Sequence, residues 1–61
     1  MKVFKKYEDI KMFVEEYSKT LSTKNSFLLN NWLSSKLNEG ILSPEKLTIH
    51  LINYINLIKS K

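Results

Sequence analysis

The sequence contains no cysteine and no arginine, and it has only one glycine and one proline. Without cysteine, neither a disulfide nor a thiolate metal site can brace the chain, and nothing in it calls for an oxidising compartment. Without arginine, the positive charge is built from lysine alone: ten basic residues against six acids, a formal net charge of +4. Lysine is a compact point charge, so such a surface favours diffuse attraction over the bidentate reading of base edges. Alanine and glutamine are missing too, while Lys, Asn, Ile and Ser abound. That is the composition of AT-rich coding, as in an AT-rich bacterial or mobile-element genome, and it accounts for the lysine excess better than an electrostatic role does.

Long apolar runs are also lacking. No stretch approaches the roughly 18 apolar residues that a membrane span requires. The basic start Met1-Lys2-Val3-Phe4-Lys5-Lys6 is followed at once by Glu8 and Asp9, which interrupt the apolar run that an export signal needs. The expected compartment is the cytoplasm.

What remains is a chain of 61 residues, 43% hydrophobic, too apolar and too poor in helix breakers to stay disordered. At this size folding buries only about 60% of the surface that the unfolded chain exposes. The core must be small, and a partner is the natural remaining support.

The periodicity is helical throughout and predicts a single all-α domain, a compact three-helix bundle with helices at about 7–20, 24–38 and 44–59. In the first segment Tyr7, Ile10, Phe13, Val14, Tyr17 and Leu21 fall on one face, with Glu8, Asp9, Lys11, Glu15, Glu16 and Lys19 on the other. Ser22 and Thr23 are both able to cap the second helix. That helix carries the apolar stripe Phe27, Leu28, Leu29, Trp32, Leu33 and Leu37, with Trp32 expected as the central core plug. Gly40 suits the left-handed residue that ends a helix, and Ile41 is placed to fold back over Leu37. Ser43-Pro44-Glu45 combines a serine cap, a proline whose missing N–H costs nothing in the first turn, and an acid at the positive helix end.

The third helix is unusually apolar. Leu47, Ile49, Leu51, Ile52, Tyr54, Ile55, Leu57 and Ile58 leave only Lys46, His50, Asn53, Asn56 and Lys59 as a polar strip. A helix that is apolar nearly all round is buried. Two explanations are open: it lies in the groove between the other two, or part of it closes against another chain. In the second case a patch carrying Ile49 and Ile52 marks an interaction site.

Catalytic chemistry has little to build on. His50 is the only histidine, and one imidazole without convergent ligands makes no metal site. Glu8 with Asp9 and Glu15 with Glu16 are adjacent on a helix, so each pair diverges by about 100° and cannot converge on one substrate. One glycine cannot form a phosphate-cradling loop. The expectation is a non-enzyme without cofactor or metal.

For nucleic acid, Lys24, Asn31, Ser35 and Lys36 offer a polar face on the second helix, and Lys46, His50, Asn53 and Asn56 offer one on the third, where asparagine is able to pair with adenine edges. The aromatic residues read better as core than as a base-stacking platform, with Phe4 and Tyr54 expected to be partly exposed. Leu21-Ser22-Thr23-Lys24, then an apolar helix with Leu28 and Trp32, then Leu42-Ser43-Pro44-Glu45-Lys46-Leu47 leading into Ile52 and Tyr54, faintly resembles the SAM-like core-binding domain of tyrosine recombinases. That resemblance implies a helical domain that clamps DNA.

The sequence therefore predicts a small regulatory or accessory protein that binds another protein, or its own copy, through Lys46, Ile49, His50, Ile52, Asn53 and Lys59. Weak nucleic-acid binding through Lys24, Asn31, Ser35 and Lys36 is the alternative.

Overall fold

In the computed structural model, which describes residues 3–60, three helices pack against one another: α1 (Tyr7–Ser18), α2 (Thr23–Glu39) and α3 (Pro44–Lys59). The expected all-α bundle is what the chain forms. Among the described residues there is no strand.

The helix ends follow from local chemistry. Lys6 begins α1 in an extended conformation with no side-chain cap, and Glu8 and Asp9 in the first turn complement the helix dipole instead. The helix stops at Ser18, two residues before the expected end at 20. Here the Ser18 hydroxyl donates to the Glu15 carbonyl at 2.9 Å and the Thr20 hydroxyl to the Tyr17 carbonyl at 2.7 Å. The backbone N–H groups of Thr20 and Leu21 close i→i−3 turns onto Tyr17 and Ser18, the tight bonding that ends helices. Ser22, not Thr23, then caps α2, its side chain accepting from the Asn25 N–H at 3.2 Å.

Gly40 ends α2 at φ 64° and ψ 21°, and its N–H returns to the Lys36 carbonyl at 3.3 Å. Ser43 is extended, as a residue before proline prefers, and its hydroxyl accepts from the Lys46 N–H at 3.4 Å. The connection is pinned across the bundle by the Tyr7 hydroxyl, which donates to the Leu42 carbonyl at 2.6 Å.

Eight aliphatic side chains form the core: Ile10 and Val14 from α1, Leu29 and Leu33 from α2, and Leu47, Leu51, Ile55 and Ile58 from α3. Half of them come from α3, which is why that helix reads as so apolar. Thr48 is buried among them. Its hydroxyl donates to the Pro44 carbonyl at 2.8 Å and accepts from the Phe4 N–H at 3.2 Å, so the segment before α1 is tied to α3.

Several core assignments are corrected. Trp32 is half-buried rather than central, stacked on Tyr54 with ring centroids 5.1 Å apart and planes 11° from parallel. Leu29 and Leu33 fill the core arc of α2, and a residue beside Leu33 is turned about 100° away from it. Phe27 lies nearly opposite Leu29 on the helix and is 65% exposed; Tyr7 and Phe13 are exposed at 41% and 36%. Ile41 does not fold back over Leu37. It is 78% exposed, and Leu42 packs against the core in its place.

Candidate interaction surfaces

The outer face of α3 exposes Lys46, Ile49, His50, Asn53 and Leu57. Ile49, Asn53 and Leu57 are spaced four residues apart, so they form one slowly turning stripe about 12 Å long. Ile49 is 48% exposed and Leu57 53%. Of the six residues expected to bind a partner, Lys46, Ile49, His50 and Asn53 share this face. Ile52 is half-buried and turned about 100° from Asn53. Lys59 is exposed, but on the Ile52 flank, roughly 120° from Asn53. Leu57 shares the exposed face of Ile49 and Asn53 and was absent from the expectation. The signal that reveals it is the four-residue spacing from Ile49 through Asn53, out of phase with the buried positions Leu47, Leu51, Ile55 and Ile58.

Leu57 also lines a groove of about 460 Å³ between α2 and α3, together with Lys24, Asn25, Leu28, Tyr54 and Ile58. Lys24 thus stands beside one end of the α3 stripe, while Lys46, one turn from Ile49, stands at the other.

The residues expected to face nucleic acid are not all together. Lys24, Asn31 and Ser35 are exposed on the outer side of α2, where Phe27 joins them. Lys36 is turned about 120° from Lys24, is half-buried, and places its Nζ 3.8 Å from Glu39 Oε1. It lines a separate groove with Tyr7, Lys11, Leu37 and Leu42.

A third surface was not anticipated. Phe4, Phe13 and Tyr17 form an aromatic row, with ring centroids 5.4 Å apart for the first pair and 5.6 Å for the second. Beside it, Val3, Phe4, Met12 and Phe13 floor a groove of about 690 Å³, with Asp9 and Glu16 on its border; Lys5 also borders it. Glu16 Oε2 is 3.2 Å from Lys19 Nζ in an exposed i,i+3 pair, a contact of little energetic weight that leaves the carboxylate accessible.

Among the described residues no group of three or more His, Asp and Glu side chains is placed to hold a metal ion, and no helix is long and apolar enough to cross a membrane. No family model, curated protein or solved structure matches this chain. The resemblance to the recombinase core-binding domain therefore rests on the quoted residues alone.

Proposed function

We propose that this chain is a non-catalytic regulatory or accessory module that binds another protein, or a second copy of itself, through the outer face of α3. The observation that carries this reading is the exposed pair Ile49 and Leu57, held on one stripe of a helix whose opposite side is already buried in the core. Lys46, His50 and Asn53 supply the polar border usual for such a site. A cysteine-free chain is suited to a reducing compartment, and we place the activity in the cytoplasm.

The magnitudes constrain the interface. Covering the exposed halves of two aliphatic side chains contributes roughly 1.5 to 3 kcal/mol. Association costs at least about 4 kcal/mol in lost translational and rotational freedom. The α3 stripe is therefore an anchor, and its counter-surface must bring further apolar area of its own. Replacing Ile49 and Leu57 together by lysine tests the reading. The fold should persist, because both side chains are half in water already, while complex formation measured by sedimentation or calorimetry should vanish. Unchanged binding by this double variant would remove α3 from the function.

A second reading has its own observation. Phe27 projects from a face of α2 where Lys24, Asn31 and Ser35 are exposed and no acid intervenes, an arrangement on which an unpaired base can stack. Binding of this kind weakens steeply with salt, whereas an interface anchored by apolar side chains should lose far less.

A further inference from the structure

We infer that the counter-surface for the α3 stripe is the groove of Val3, Phe4, Met12 and Phe13 on a second copy of this chain, so that copies associate head to tail. This rests on the protein-binding reading above and names its partner.

The two surfaces complement each other in apolar content and in charge. Ile49 and Leu57 are about 12 Å apart along α3, with Lys46 beside one and Lys24 beside the other. The groove offers exposed Met12 and Phe13 between Asp9 and Glu16, which lie seven residues, or about 10 Å, apart along α1. Two cations spaced around two apolar anchors thus meet two acids spaced around an apolar floor, whose border also carries one cation, Lys5. α1 holds four of the six acids of the chain; of these Asp9 and Glu16 share one face and border the groove, while Glu8 and Glu15 are each turned about 100° away from them. The groove also brings the extra apolar area that the α3 stripe needs.

A symmetric contact between two α3 helices is less favourable. It would set Lys46 and Lys24 of one copy against the same lysines of the other, and like charges so placed are repulsive. Glu45, the one acid of α3, sits in its first turn and leaves the Leu57 end without a countercharge.

A head-to-tail contact is heterologous: each copy uses a different surface toward each neighbour, so assembly runs on into a ring or an open chain. This separates it from a symmetric dimer. Two variants each disable one side. Ile49→Glu removes the anchor, and Met12→Lys blocks the groove; both positions are exposed, and circular dichroism verifies that both variants fold. In sedimentation velocity, the native chain should grow past the dimer with concentration. Each variant alone should sediment as a monomer. An equimolar mixture should form a one-to-one dimer that grows no further, because one intact anchor and one intact groove remain. Either substitution alone should weaken association by tenfold or more.

If Met12→Lys still assembles while Ile49→Glu does not, the groove is the wrong counter-surface and the α3 reading stands. If both variants are monomeric and their mixture stays so, the contact is not head to tail. A native chain that remains monomeric at millimolar concentration overturns self-association, and binding by α3 then concerns a different protein.

Discussion

The backbone N–H of Phe4 donates to the hydroxyl of Thr48, 3.2 Å away and 44 residues along the chain. The same hydroxyl donates to the Pro44 carbonyl at 2.8 Å, so a single buried oxygen serves both the start of α3 and the segment that leads into α1. No buried side-chain nitrogen or oxygen among the described residues is left without a partner. Replacing Thr48 by valine keeps the shape and removes both bonds. The partly buried Phe4 N–H is then unpaired, at a cost of about 1 to 2 kcal/mol. The urea midpoint should fall accordingly, and the Phe4 amide should exchange with solvent much faster. Thr48→Ser, which retains the hydroxyl, should keep that amide protected even as it loses the packing of one methyl group. Equal exchange in the two variants would show that the bond does not hold the segment.

Gly40 carries the only positive φ among the described residues. A Cβ built there meets nothing within 4 Å, so a substitution is opposed by backbone conformation and not by crowding. Gly40→Ala should cost about 1 kcal/mol, and Gly40→Asn less, since asparagine tolerates the left-handed region. Thermal unfolding of the two variants gives the order. An alanine variant as stable as the native chain would mean that the α2–α3 turn relaxes into another conformation.

The punctuation of the chain was legible because each stop has a local cause. Gly40 needs its left-handed conformation, and Ser43 with Pro44 needs only the first turn of a helix. The first places the end of α2 and the second the start of α3 where they are observed, without reference to the rest of the fold. What escaped were properties of the assembled bundle. Trp32 and Phe27 sit within an apolar stripe by residue type, yet three short helices leave so narrow an arc that Leu29 and Leu33 fill it. Thr48 looks polar but lies at a core angle of α3, where its hydroxyl can reach a backbone carbonyl one turn back. Leu57 looks like core and sits at an outward angle. The groove at Phe13 depends on how the segment from Val3 crosses α1, which periodicity within one helix does not encode.

Trp32 provides a direct optical test of its corrected position. It is the only tryptophan and is half-buried against the Tyr54 ring. Its emission should therefore lie between those of buried and free indole, and iodide should quench it in part. Tyr54→Leu preserves much of the apolar area but removes the stack, which contributes about 0.5 to 1.5 kcal/mol beyond burial. Stability should drop by that amount, and the emission should shift to the red. A fully shielded blue emission in the native chain would instead restore Trp32 to the centre of the core.

The sharpest contrast lies within one turn of α2. Leu29 is fully buried, while Phe27, two residues earlier, is 65% exposed. At roughly 0.05 to 0.15 kcal/mol per residue, a chain of 61 residues has a total stability of about 3 to 9 kcal/mol. Leu29→Ala removes a core side chain and leaves a cavity, a change that costs about 2 to 5 kcal/mol. The variant should be largely unfolded near the lower end of that stability range and markedly weakened near the upper end. Phe27→Ala deletes a larger side chain, yet it should change stability by no more than about 0.5 kcal/mol, as is usual for exposed positions. It should even favour the helix slightly, because alanine has the higher intrinsic propensity. Urea denaturation of the pair settles the matter. If Phe27→Ala proves as damaging as Leu29→Ala, the phenylalanine is packed in solution, and the face it shares with Lys24, Asn31 and Ser35 is not open for a base to stack on.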